Sequence, residues 1–325
     1  MKLLIAGGQG FVGLNVAEQV LKQRGQVILF GPDSAPPAFL QTLRSLPGQL
    51  HVVNGDISSP DDVSQALSEF KPDHVVNAAA ITAGAQREIS SARNIFKVNL
   101  LGTIELLEAC LQHDIKRLAQ LGTGSVFGQA GQWSDWLDEK TSAAMPESLY
   151  GISKFAAERS CIRYAKQRGL DVTVLRLGTV FGRWEYDTGV RDTQSIPLQL
   201  LKAAQAGKHA VLYKDCADDW VYSIDVAQGI LSALECKTRP QPLYHLSSGM
   251  RWDVAAWCQR LAKAFEGFSY ELSDDKSCCT IGANATPRRS PMCIDRIKSD
   301  LGYVPRYLAD SAMTDFVAWG RQHLK

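Results

Sequence analysis

A tyrosine and a lysine four positions apart, in the run Tyr150-Gly151-Ile152-Ser153-Lys154, are the residues best placed to do chemistry. On a helix, such positions lie one above the other on the same face, which holds an ammonium beside a phenol. A free tyrosine has a pKa of about 10 and is a poor base near neutrality. A nearby positive charge favours the phenolate, each unit of lowering being worth ~1.4 kcal/mol. A phenol poised this way exchanges a proton with a substrate hydroxyl or carbonyl. So short a motif also arises on ordinary surface helices, and its meaning turns on whether the chain supplies a cofactor site.

Such a site is written at the N-terminus. Residues 2–6 read as a short buried strand, Gly7-Gly8-Gln9-Gly10-Phe11-Val12-Gly13 follows at once, and residues 14–23 form an amphipathic segment. Strand, glycine loop and helix is the context that makes a glycine pattern a dinucleotide-site signature. Glycines permit the tight turn and the close approach of backbone to a pyrophosphate, while the helix N-terminus offers unpaired N–H groups. The spacing is Gly7-x-x-Gly10-x-x-Gly13, not the commoner Gly-x-Gly-x-x-Gly.

The elements needed to position these groups follow in order. Strand-like runs at 27–30, 51–54, 74–79, 117–122 and 172–177 alternate with helical stretches near 62–69, 91–112 and 150–168. That alternation predicts an α/β fold, a Rossmann-type doubly wound parallel sheet, with ligands beyond the carboxyl ends of the strands. After about Gly182 the rhythm changes. The expectation is a dinucleotide-binding domain over 1–182 and a smaller, discontinuous C-terminal substrate-binding lobe over 183–325, some of whose segments return to the first domain. Pro36-Pro37 reads as a loop.

Composition bounds the rest. A chain of 325 residues suits one large or two modest domains. A net charge of +1 gives no footprint for nucleic acid or an anionic membrane. No run approaches the ~18 apolar residues of a membrane span, and the N-terminus does not read as a secretory signal. Eight scattered cysteines lack Cys-x-x-Cys spacing and read as reduced thiols of a cytoplasmic protein. The six histidines are dispersed and indicate neither a metal site nor a catalytic triad.

Further motifs stand in a fixed order: Gly55-Asp56-Ile57, Asn77-Ala78-Ala79-Ala80, the run from Val98-Asn99 to Cys110, Leu121-Gly122-Thr123-Gly124-Ser125, then Tyr150-x-x-x-Lys154 and Leu175-Arg176-Leu177-Gly178-Thr179. Over nearly the whole chain this series resembles the extended branch of the short-chain dehydrogenase/reductase superfamily, the NAD-dependent epimerase/dehydratase family. The resemblance implies that Gly7, Gly10, Phe11, Val12, Gly13, Asp56, Ile57, Ala78, Ala79, Ala80 and Asn99 hold the cofactor. Asp56 then accepts from the adenine amino group, unless it serves the N-terminus of the following helix. Asn99 reads as heading a helix, in a role that is either active-site organisation or purely structural. Thr123 and Tyr150 grip one substrate oxygen, and Lys154 both lowers the tyrosine pKa and binds the nicotinamide ribose. Thr82, Thr123, Gly124, Ser125, Thr179, Arg183 and Arg191 complete a substrate set.

Three departures narrow the reaction. The acidic residue that ends the second strand of NAD-preferring relatives is replaced by Gly31, with Asp33 two residues on. No cation for an NADP phosphate lies between Gln26 and Leu43, so the cofactor expected is NAD, with NADP left open and Asp33 either reaching the ribose or lying in a loop. The residues after the catalytic threonine, polar or acidic in 4,6-dehydratases, are Gly124 and Ser125, which disfavours dehydration. Asp218-Asp219-Trp220 stands where nucleotide-sugar enzymes carry an arginine-led triplet, which weakens a diphosphate substrate, although Arg288 or Arg289 could serve a phosphate. The polar run 183–195 reads as a substrate-recognition segment or as a solvated loop tied by its own ion pairs. The reaction expected is hydride exchange at a hydroxyl-bearing carbon of a sugar-like small molecule. The alternatives are a nucleotide-sugar 4-epimerase working through a transient ketone and a non-catalytic dinucleotide sensor. Apolar faces on helices 99–112 and 150–168 predict a homodimer.

Overall fold

The structure, a computed structural model, describes residues 1–32, 35–216, 218–282 and 289–324. The chain opens with β1 (Lys2–Ala6), α1 (Phe11–Lys22), β2 (Gln26–Phe30), α2 (Pro37–Arg44), β3 (Gln49–Val53), α3 (Pro60–Phe70) and β4 (His74–Asn77). A long helical run follows: α4 (Ala85–Phe96), a π-helical turn over Lys97–Leu101, and α5 (Gly102–Gln112). Then come β5 (Arg117–Thr123), a 3-10 segment over Gly124–Gln132, α6 (Leu149–Gln167), β6 (Val172–Leu177) and β7 (Thr179–Phe181). The remainder holds α7 (Ile196–Gln205), β8 (His209–Tyr213), β9 (Trp220–Tyr222), α8 (Ser223–Glu235), β10 (Leu243–Leu246), α9 (Val254–Ala264), β11 (Ser269–Ser273), α10 (Asp295–Leu301) and α11 (Ala309–His323). Among the described residues no helix is long and apolar enough to cross a membrane.

Seven strands pair in parallel in the order β10-β6-β5-β4-β1-β2-β3. The order reverses at β1, the hallmark of a doubly wound sheet. Both faces are covered, so the strands are apolar throughout and their residues alternate between two cores. Leu3, Ile5, Val27 and Leu29 point to one, while Leu4, Ala6, Ile28 and Phe30 point to the other. The second carries α3, α5 and α6; the first continues into the C-terminal elements. There Phe181 is ringed by Trp220, Tyr222, Trp252, Trp257 and Phe316, with centroids 5.2–6.1 Å away.

Two sequence expectations change. Pro36-Pro37 does not mark a loop: Pro37 is the first residue of α2, where a missing N–H costs nothing. The single helix read over 91–112 is two helices joined by the π turn, and Asn99 lies inside that turn instead of heading a helix.

The helix that carries Tyr150 and Lys154 is fixed to the sheet by charge. Glu158, one turn beyond Lys154, receives two bonds from Arg176 of β6: Nε to Oε2 and Nη2 to Oε1, both 2.7 Å. Both side chains are buried, at 5% and 1% exposure, and the guanidinium lies 5.0 Å from the Phe127 ring centroid. Breaking such a pair strands a charge in the interior. Arg176→Met is therefore expected to cost about 3–5 kcal/mol of unfolding free energy in urea. The double variant Arg176→Met/Glu158→Leu should recover most of that loss, and a single change costing under about 1 kcal/mol would show that the pair does not anchor the helix.

Candidate active site

Beyond the carboxyl ends of β1 and β4 lies a groove of about 550 Å³, lined by Gly7, Gly10, Phe11, Val12, Gly13, Asp56, Ile57, Ala78, Ala79 and Ala80. Two of its glycines are compelled. Gly7 has a φ of +69° and a Cβ there would lie 2.6 Å from the Ala79 nitrogen; at Gly13 it would lie 2.6 Å from the Gly8 carbonyl oxygen. Gly10 caps α1 without any side-chain bond, which leaves the first N–H groups of the helix for an anion. A wall of backbone and methyl groups facing a bare helix N-terminus fits a dinucleotide pyrophosphate.

Asp56 accepts from Ser58 N at 2.8 Å and Ser58 Oγ at 2.6 Å, and its other oxygen lies 3.2 Å from Lys97 Nζ. Burial pushes this carboxyl up, but Ser58 and Lys97 outweigh it and hold the group below the usual carboxylate range. It is not the cap of α3, a role that Ser59 fills by accepting from Asp62 N. Asp33 lies outside the described residues; Gly31 and Pro32 just before it line the groove. Asn99 is corrected: it is fully buried and does not line the groove. Its Oδ1 accepts from Ile81 N (2.8 Å), and its Nδ2 donates to Ile81 O (3.1 Å) and Ser153 Oγ (3.0 Å). It braces the strand exit against α6 and touches no ligand space.

At the groove's other end stand Thr82, Thr123, Ser125, Tyr150 and Lys154. The start of α6 is fixed twice over, by Ser148 Oγ accepting from Gly151 N (3.0 Å) and by Glu88 of α4 accepting from Leu149 N (2.6 Å). The Tyr150 hydroxyl meets the side chains of Thr123 and Thr82. Burial raises its pKa, and those two hydrogen bonds, with the charges of Arg191 and Arg289, pull against the rise. The leading influences on the phenol are burial, the two threonines and the two arginines. Burial brings the Lys154 ammonium down to about 8.

The substrate set divides. Thr82 and Arg191 form an isolated parallel bridge, and Arg191 pairs with Glu185 at 3.1 Å while covering the Phe11 ring at 5.5 Å. Thr179 lines the groove and donates to Asp218 at 2.5 Å. Arg183 is corrected: it turns away from the groove, bonding Asp315 through Nε (2.7 Å) and approaching Glu18 at 3.5 Å. Gly124 is also corrected, since its face is covered by Arg289 and it does not itself line the groove. Nor does Asp219 confront a substrate; fully buried, it accepts from Met292 N (2.9 Å), Ser247 and Ser248, and burial pushes its carboxyl up to about 6. The sequence reading held Tyr186 only as part of the polar run 183–195 and gave Arg289 only a phosphate role; the Tyr186 hydroxyl donates to Gln9 O at 2.7 Å, and Arg288 lies outside the described residues. A periodic loop pattern offered no signal for either.

Lys154 makes a pH-dependent prediction. A lysine whose folded pKa falls below its unfolded value binds fewer protons when folded, so its contribution rises with pH between about 8 and 10.5 and is unfavourable below that window. Lys154→Met is expected to abolish turnover yet raise stability at pH 7 by about 2 kcal/mol. The gain should shrink as melting is repeated toward pH 10; a variant less stable than wild type at pH 7 would contradict the assignment.

Comparison with known proteins completes the picture. Residues 3–245 match the model of the NAD dependent epimerase/dehydratase family. The CDP-paratose 2-epimerase of Salmonella typhi is 31% identical over 208 residues, spanning 58% of this chain and 60% of that protein. A dTDP-glucose 4,6-dehydratase of Streptomyces antibioticus is 25% identical over 336 aligned positions, 99% of this chain and 93% of that one. Among solved structures, the UDP-glucose 4-epimerase of Thermus thermophilus in complex with NAD superposes with a TM-score of 0.80 at 23% identity, covering 100% of both chains. The groove, its glycine loop and the Thr-Tyr-Lys constellation thus belong to a member of the NAD dependent epimerase/dehydratase family.

Proposed function

We propose that this chain is an NAD-dependent oxidoreductase or epimerase acting at a hydroxyl-bearing carbon of a sugar-derived substrate. The observation that carries the reading is that Thr82, Thr123, Tyr150 and Lys154 line one groove together with the glycine loop. Bound there, NAD supplies the acceptance and return of hydride. The chain's own part is proton transfer and positioning. Tyr150 takes the proton of the substrate hydroxyl in one direction and returns it in the other, while Thr123 orients the same oxygen. Lys154, which lines the groove, is assigned in this proposal to the cofactor's ribose hydroxyls.

The relatives' names support a nucleotide-linked sugar. The sequence argument against a diphosphate loses its force, because Asp218 and Asp219 are engaged by Thr179, Ser247 and Met292. Epimerisation through a transient ketone needs the same three residues and is the second reading, supported by the Salmonella relative. Dehydration remains disfavoured in this proposal despite the dehydratase relatives: Gly124 has no group to move a proton, and Ser125 Oγ accepts from Thr123 at 3.2 Å. A sensor that merely holds the dinucleotide has no need of an intact Thr123, Tyr150 and Lys154.

The dimer belongs to the same proposal, as does a cytoplasmic location. Leu101 is 51% exposed, and Leu100, Ile104, Leu111, Ile152 and Ile162 are only partly covered along the π turn, α5 and α6. An apolar stripe on two adjacent helices suits pairing with its own copy.

Two measurements test these statements. Tyr150→Phe should lower kcat by about 10²–10⁴-fold with NAD affinity unchanged, in an assay following nicotinamide absorbance and product stereochemistry over nucleotide-linked and free sugars. Undiminished turnover would remove the mechanism. Net growth of reduced cofactor marks the dehydrogenase; isomerised product without it marks the epimerase. In sedimentation equilibrium the wild type should run at twice the chain mass at micromolar concentration and Leu101→Arg/Ile104→Glu as a monomer, whereas a monomeric wild type ends the dimer proposal.

A further inference from the structure

Arg289 is a cation at the reacting end of the groove. It lines the cavity with Thr123, Ser125 and Tyr150. Its guanidinium lies flat against the bare face of Gly124: a Cβ at that position would be 2.5 Å from Arg289 Cζ and 2.7 Å from Nη1. Among the described residues Arg289 makes no ion pair, and its Nε is buried without a hydrogen-bond partner. Arg191, another cation of the site, is by contrast paired with Glu185. The Arg289 charge reaches the buried carboxyl of Asp219 and pulls that group's pKa down, but the Asp219 oxygens are taken by Met292 N and the Ser247 and Ser248 hydroxyls. An unpaired guanidinium facing ligand space, with donors to spare, calls for an anion in the ligand itself.

Its position says which part of the ligand. Thr123 precedes Gly124, and the Tyr150 hydroxyl meets Thr123. The charge therefore stands beside the carbon being oxidised, where the sugar ring must sit. A diphosphate linker would belong further from the reacting oxygen. We infer that Arg289 is a specificity-determining residue whose guanidinium holds a carboxylate carried by the sugar unit, so that the substrate is a uronic-acid type sugar and not its neutral alcohol counterpart. This rests on the proposed hydride chemistry at Tyr150 and names the substrate class for it. Glycine at position 124 is then a requirement of the guanidinium's seat: any side chain there would displace it.

The test compares UDP-glucuronate, UDP-glucose and UDP alone on the NAD-loaded protein, by calorimetric binding and by kcat/KM. Wild type should favour the uronate over the glucose form by roughly tenfold or more, and Arg289→Gln should cut that ratio by about the same factor. Arg289→Lys should retain part of it. Gly124→Ala, which leaves the arginine in the chain but pushes it from its seat, should lose it; thermal melting confirms that each variant is folded. Equal weakening of uronate, glucose form and UDP by Arg289→Gln would overturn the inference and make Arg289 a diphosphate anchor. A wild type that binds uronate and glucose forms alike would overturn it too. Binding is read without turnover, so absent hydride exchange with a clear uronate preference would sink the catalytic reading and leave the carboxylate site standing.

Discussion

The site depends on a buried ion pair that does no chemistry. A helix bearing Lys154, Ser153 and Glu158 on its inward face must pack on an apolar sheet, and each of those groups would rather be in water. Arg176 reaching from β6 to Glu158 resolves the conflict at one point and fixes the rotation of α6 about its axis. With that angle set, Ser153 meets Asn99 and Lys154 faces the groove. The pair's value is orientation more than stability, since a well-packed apolar substitute could match its energy. Glu88 and Ser148 do the complementary work at the helix start, so Tyr150 sits between two fixed points.

The second constraint is the polar segment before α7. It crosses from the C-terminal elements to the sheet and is tied down at several places. Tyr186 donates to Gln9 O, Thr82 N donates to Val190 O, and Arg87 grips Asp192. The segment thus forms part of the groove wall, and its two arginines have opposite fates. Arg191 remains at the site; Arg183 is drawn by Asp315 and Glu18 into the packing between α1 and α11. Type and density of polar residues could not separate them, because the difference lies in partners far along the chain.

The same distinction governs what the sequence revealed. Apolar alternation and the glycine loop report local physics, and the sheet, its first six strands and the cofactor wall were legible from them. The edge strand β10 escaped because it comes from far downstream, where its short apolar run resembles any buried segment. Asn99 stood in a family motif, yet its function is set by the π turn that swings it inward to Ile81 and Ser153. Asp219 looked like an anion facing substrate because a run of letters does not show that Met292 N and two serines enclose it. In each case the decisive partner is distant in sequence.

Electrostatic balance links Gly124 to the distant Arg289. Burial works against charge throughout this pocket, raising Tyr150 and lowering Lys154. An acidic side chain at position 124 would add an anion beside the phenol and disfavour the phenolate. Glycine there lets a cation in from the C-terminal segment, and Arg289 with Arg191 makes the surroundings of Tyr150 favourable to negative charge. Gly124 and Arg289 therefore set the site's charge together from two places in the chain. A motif scan sees only the glycine; the fold shows the arginine that lies against it.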